Sequence, residues 1–205
     1  MQKKMTARSV FNRVLRLGHG RTHNYDLRTS TTFEHIGEAG PLIVGMFDRV
    51  AGIPGWFNVD DCMHFHLVLA MQTAMGIAGD IFEIGSYHGR STSIMALHLR
   101  PSERIVICDT FQAQTEDHYN RLPSPANLVG NIMSVNPGLD RTKIVIHNCS
   151  SIDLSFPPEQ MFRFIHIDGG HSRTVVHSDL KLSAKHLMPK GVIVVDDYHL
   201  SLIHI

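Results

Sequence analysis

From residue 80 onward, short apolar runs alternate with longer amphipathic stretches along the chain. DIFEIG (80–85), ERIVICD (103–109), TKIVIHN (142–148), RFIHID (163–168) and GVIVVDD (191–197) read as five strands. Each is apolar through its middle and does not alternate, which is the pattern of a strand covered on both faces. Between them, HGRSTSIMALHL (88–99) has helical spacing, and Val176, Leu180, Ala184 and Leu187 fall on one helix face. Upstream, DDCMHFHLVLAMQTAMG (60–76) predicts a helix with Asp60 or Asp61 near its N-cap and Gly76 at its end. Residues 30–59, with Pro41, Gly52, Pro54, Gly55 and Trp56, predict an irregular lead-in segment. Residues 112–137 predict a polar, Pro-rich connection holding at most one short helix. Strands separated by helices predict a doubly wound α/β fold built on a mostly parallel sheet.

Composition adjusts this picture only at the N-terminus. The chain has 205 residues, enough for one well-cored domain, and 43% hydrophobic content excludes a disordered or fibrous class. Formal net charge is zero, which points to neither a nucleic-acid nor a membrane partner. Residues 1–30 nevertheless hold seven basic residues against the single acid Asp26, leaving 12 basic and 18 acidic residues in the remainder. This basic arm lacks the apolar core of a secretory signal. It is read as a solvated arm with a short amphipathic piece around Val10–Leu17. No stretch approaches the roughly 18 apolar residues of a membrane span. Cys62, Cys108 and Cys149 are scattered without a CxxC, as expected of reduced thiols in a cytoplasmic protein. Residues 1–50 are therefore set apart as arm and lead-in, and 51–205 as the domain proper.

In open α/β sheets, ligands bind beyond the carboxyl ends of the strands. Strand one ends in Glu83-Ile84-Gly85-Ser86-Tyr87-His88-Gly89-Arg90-Ser91, strand two at Asp109, strand four at Asp168 and strand five at Asp196-Asp197. The first loop lacks the middle glycine of a dinucleotide fingerprint, because position 87 is Tyr. Glu83 just before the turn suits an ammonium better than a pyrophosphate. Asp109 can accept hydrogen bonds from a ribose diol, or cap the next segment of chain. His166 alternates with Ile165 and Ile167 and reads as a packed core histidine. His64 and His66 do not share a helix face, so no metal site is read there. Trp56 and Phe57 read as packing aromatics ahead of pocket lining.

FEIGSYHGRST, VICDTF, NCSSIDL, FIHIDGGHS and MPKGVIVVDDY, in this order and spacing, resemble class I S-adenosylmethionine-dependent methyltransferases. The likeness covers roughly residues 55–199 and is nearest to metal-dependent small-molecule O-methyltransferases of the catechol and macrolide-sugar kinds. It implies a Rossmann-like methyltransferase fold and a hydroxylated small-molecule acceptor. By this resemblance Glu83, Gly85, Ser86 and Gly89 would hold the methionine half of the cofactor. Asp109 would bind the ribose, and Cys149 and Ser150 would lie beside the adenine. Asp168, Asp196 and Asp197 match the family's ligands for a divalent cation, usually Mg²⁺, which gives Asp168 a catalytic role. His171 falls where the family places a basic residue and is expected to be the general base, or else to cap the next helix. Asp197 is open to a second reading as a helix cap or surface acid.

The family fold continues past strand five, whereas only eight residues follow Asp197. A C-terminally truncated domain is therefore expected, with the tail SLIHI foreign to the family. Two alternatives stand beside the methyltransferase: a nicotinamide-dependent oxidoreductase, and a non-catalytic cofactor-binding fragment. Oligomeric state, a homo-oligomer included, is left open, as is the identity of the acceptor.

Overall fold

The structure, a computed structural model, describes residues 39–112 and 122–196. Its centre is a sheet of five parallel strands: β1 Asp80–Ile84, β2 Ile105–Asp109, β3 Ile144–Asn148, β4 Phe162–Ile167 and β5 Leu187–Val195. Their order is β3-β2-β1-β4-β5, with the chain returning to the middle after β3. All five expected strands are present. β5 begins earlier than the sequence suggested, at Leu187, because its first pair, Phe162 with Leu187, is followed by a register shift to Phe164 with Val192. Among the described residues β5 is an edge of the sheet. The expectations about the chain beyond β5, like those about Val10–Leu17, lie outside the described residues.

Among the described residues five helices pack on the sheet: α1 Ala39–Asp48, α2 Val59–Ala74, α3 Arg90–Ala96, α4 Pro125–Val135 and α5 Arg173–His186. One face of β1, β2 and β4 (Ile81, Ile105, Ile107, Phe164) is buried beneath α1 to α4 through Ile43, Phe65, Leu69, Ile94, Leu128 and Ile132. The opposite face (Phe82, Val106, Phe162, Ile165) meets Leu180 of α5 and Phe156. Each fully buried large apolar side chain contributes about 1.5–3 kcal/mol, which is why the strands read as unbroken apolar runs.

Local structure corrects two expectations and bears out a third. Residues 39–48 form a helix where an irregular segment was expected, since Ile43, Met46 and Val50 bury against α2 and override Gly45 and Pro41. At the start of α2, Asp60 and Asp61 do lie next to the N-cap, which is Asn58; its Oδ1 accepts from the Asp60 and Asp61 amides at 2.7 and 3.1 Å. Asp61 returns the bond by accepting from Asn58 N at 2.9 Å, which closes a capping box. Thirdly, α5 is capped by Ser172, whose Oγ accepts from Val175 N at 3.3 Å, so His171 does not cap it.

The amino end of the sheet holds a buried ion pair hidden inside the run RFIHID. Arg163 is fully buried; its Nε and Nη2 donate to Glu103 at 3.0 and 2.9 Å. Its remaining donors reach Gln72 Oε1 and the His98 carbonyl oxygen. This network joins α2, β4 and the turn before β2 at the end of the sheet away from the carboxyl edge. No helix among the described residues is long and apolar enough to cross a membrane.

Candidate active site

The carboxyl edge of β1 is shaped by Gly85 and Gly89, both in the left-handed region at φ +82 and +86. At Gly85 the backbone passes so close to β4 that a Cβ would lie 2.0 Å from the Asp168 carbonyl oxygen. The ladder continues through this contact, with Asp168 N donating to Ile84 O at 2.8 Å. The glycine turn and Asp168 are thus one unit.

Asp109, at the end of β2, organises the loop beyond Gly85. Its Oδ2 accepts from the Ser86 and Tyr87 amides at 2.7 and 2.8 Å and from Ser86 Oγ at 3.2 Å. Its Oδ1 accepts from Phe111 N at 2.7 Å, which leaves acceptor capacity for a hydroxyl group. Tyr87 sits at φ +50, and its ring lies 5.6 Å from that of Trp56. Arg90 ties the segment before α2 to this loop by donating to the carbonyl oxygens of Ile53, Gly55 and Phe57 at 2.6, 2.7 and 3.1 Å. The two aromatics of that segment part company. Phe57 packs in the core against Phe65, whereas Trp56 is 60% exposed beside Tyr87 and is not buried.

Glu83 lies fully buried beneath the turn. One oxygen accepts from Ser91 Oγ at 2.5 Å, the other from Thr92 Oγ1. His166 Nδ1 meets Glu83 Oε1 at 2.9 Å, across the β1–β4 register that pairs these two residues. His166 is buried as expected, edge-on to Phe65 at 4.9 Å. Burial opposes its charged form, but the Glu83 hydrogen bond and the charges of Glu83, Asp168 and Asp196 outweigh that and raise its pKa. The sequence pattern marks this side chain as core alone. The structure places it among carboxylates.

Ligand atoms of His166, Asp168 and Asp196 lie within 4.8 Å of one another, a donor set that fits a single divalent cation. Asp196 N donates to Ile167 O at 2.9 Å, so the last residue described extends the β4–β5 ladder and brings its carboxylate to Asp168. Asp197, the third expected ligand, lies outside the described residues. Asp61 at the start of α2 faces the same cluster. Burial, partly offset by the Asn58 amide bond and reinforced by Asp196, pushes its carboxyl up to about 7. His171 is exposed in the loop between Asp168 and α5. Cys149 and Ser150 come after β3, beside β2. Cys108 Sγ donates to the Cys149 carbonyl oxygen at 3.4 Å, and Ser150 Oγ accepts from Ile152 N at 3.4 Å.

On the other face, fully buried Asp179 of α5 abuts the GlyGly turn: a Cβ on Gly169 would stand 3.3 Å from its Oδ2. Burial raises its pKa. Helical spacing from Val176 marked this helix, but gave no sign that one of its acids turns inward.

A family profile described as a methyltransferase domain matches residues 82–198, more than half of the chain. The chain belongs to this methyltransferase family. It is a class I S-adenosylmethionine-dependent enzyme, which sets aside the oxidoreductase reading. The match runs from β1 through Asp196, so it includes the glycine turn, Asp109 and Asp168. No curated protein sequence matches the methyltransferase. Among solved structures, the O-methyltransferase NovP is 15% identical with a TM-score of 0.65, covering 78% of this chain and 85% of NovP. CalS11, a TDP-rhamnose 3′-O-methyltransferase of calicheamicin biosynthesis, is 16% identical at 0.52, covering 85% and 84%. TomG of Streptomyces achromogenes, an O-methyltransferase of tomaymycin synthesis solved with S-adenosylmethionine, is 18% identical at 0.50. It is matched over 67% of this chain and 56% of its own, so this chain spans little over half of TomG. At these identities the likeness establishes the fold.

Proposed function

We propose that this methyltransferase methylates a hydroxyl oxygen of a small molecule, a sugar or other secondary metabolite, at a site that takes a divalent cation, Mg²⁺ first. The observation that carries this reading is the meeting of Asp168 and Asp196 at the carboxyl edge, one backbone contact from the Gly85 turn. Two carboxylates this close repel unless a proton or cation lies between them. The name of CalS11, a sugar O-methyltransferase, supports the acceptor class.

When bound, S-adenosylmethionine supplies an electrophilic methyl group on a sulfonium sulfur, and a cation lowers the pKa of the acceptor hydroxyl. The protein's part is positional. Gly85, Ser86 and Gly89 shape the turn against which the methionine half rests, with Glu83 as buried negative charge beneath its ammonium. Asp109 holds the loop and offers Oδ1 to the ribose; Cys149 and Ser150 flank the adenine. Asp168 and Asp196, with Asp197, would hold the cation. His171 would accept the hydroxyl proton at a ring nitrogen, and the bound cofactor would supply the methyl group, its sulfur keeping the bonding electron pair. Three free cysteines suit a cytoplasmic setting. Ile43 and Met46 of α1 pack in the same core as α2 and β1.

The test is methyl transfer to a panel of hydroxylated sugars and catechols, with and without EDTA. Asp168→Asn and Asp196→Asn should lose cation-stimulated turnover while S-adenosylhomocysteine affinity, read by calorimetry, changes only a few-fold. Undiminished activity in EDTA would remove the cation from this reading.

A further inference from the structure

We infer that His166 is itself a cation ligand, supplying one nitrogen beside the oxygens of Asp168 and Asp196, with Glu83 as the group that aims it. This deepens the cation reading above and rests on it.

The placement comes from strand geometry. Side chains two apart on a strand share a face, so His166 and Asp168 of β4 project to the same side. β5 pairs Val194 with His166, which puts Asp196, two residues on, above the same face. Three donors thus rise from adjacent strands, their ligand atoms within 4.8 Å of one another. Opposite ligands of a small octahedral cation stand about 4.2 Å apart. The observed spacing is therefore close to that of the ligands of one cation.

The ring is also pre-oriented. Its Nδ1 lies 2.9 Å from Glu83 Oε1. A carboxylate can only accept, so Nδ1 carries the hydrogen and Nε2 is the nitrogen left to bind a cation. Glu83 is in turn fixed by Ser91 and Thr92, and the ring packs edge-to-face with Phe65 at 4.9 Å. A carboxylate holding one imidazole nitrogen while the other binds metal is a recurrent means of setting tautomer and ligand strength. Binding replaces any proton on Nε2. The buried Glu83 would then link the cofactor turn to the cation by a single hydrogen bond.

A nitrogen donor changes which cations the site favours. An all-oxygen site suits Mg²⁺ and Mn²⁺, whereas imidazole raises affinity for Co²⁺ and Ni²⁺. The experiment uses the full chain loaded with Mn²⁺ and electron spin-echo envelope modulation. The expected result is a ¹⁴N coupling of directly bound imidazole, converted to the ¹⁵N pattern by ¹⁵N-histidine labelling. It should persist in His171→Gln and vanish in His166→Gln, with Co²⁺ affinity at least tenfold weaker in the latter. If His166→Gln does not fold, the His171→Gln protein decides, since a coupling that survives there comes from another histidine at the cation. Mn²⁺ that binds, is lost in Asp168→Asn and shows no nitrogen coupling overturns the inference but leaves the carboxylate site standing. Absence of Mn²⁺ binding in the wild-type protein overturns both.

Discussion

Replacing Gly85 with alanine tests whether the cofactor turn and Asp168 are one mechanical unit. The new Cβ would lie 2.0 Å from the Asp168 carbonyl oxygen and 2.5 Å from its carbonyl carbon, distances that real Cβ atoms essentially never show. Both near atoms are backbone, so β1 and β4 must part at their carboxyl ends. The left-handed φ of +82 adds its own strain. Taking about 1 kcal/mol for the dihedral and about 1–3 kcal/mol for the forced displacement, the loss comes to about 2–4 kcal/mol. A domain of ordinary stability, about 5–15 kcal/mol, survives that. Gly76 supplies the internal comparison: its φ is +71, but nothing lies within 4 Å of its Cβ position. Gly76→Ala should therefore lose only the dihedral part, about 1 kcal/mol. Urea melts of both variants, with calorimetry of S-adenosylhomocysteine, separate the two effects. Gly85→Ala should be the less stable and bind at least tenfold more weakly, because Asp168 and the Ser86 amide move together; Gly76→Ala should bind as wild type. If Gly85→Ala is no less stable than Gly76→Ala, or binds normally, the coupling of turn to Asp168 is wrong.

Asp61, whose carboxyl rises from an ordinary 3.8 to about 7, binds a proton in the folded state that the unfolded chain has released. Between those values stability falls as pH rises, with Asp60, His166 and Asp196 as the charges that face it. Asp61→Asn keeps an acceptor for the Asn58 amide and should flatten this slope and stabilise the protein at pH 8 in urea melts; an unchanged slope would count against the assignment. Arg163→Leu strands Glu103 in the interior and should cost about 3–5 kcal/mol. A matching Glu103→Leu should restore much of that loss in thermal melts, and additive losses would refute the pairing.

The sheet was legible in the sequence because parallel strands covered on both faces must be apolar throughout. DIFEI and IVICD have no other stable setting than a covered sheet. The carboxyl-edge residues were legible for the same reason: Asp109, Asp168 and Asp196 stand where each apolar run stops. Gly85 and Gly89 mark a turn that a side chain would obstruct. Other features depend on partners remote in sequence. α1 hides behind Pro41 and Gly45, and only burial against α2 makes it a helix. Caps are settled by a few local hydrogen bonds, which put Asn58 and Ser172 at the N-cap positions beside Asp60 and His171. Arg163 and His166 sit in one apolar strand and read as exceptions within it. Parity along β4 puts His166 on the face of Asp168, and that much the sequence determines. Register against β1, 83 residues away, sets Glu83 opposite it, and register against β5 brings Asp196 alongside. Those pairings arise only when the strands align, because a hydrogen bond or shared cation needs distances of a few ångströms that composition and periodicity do not encode.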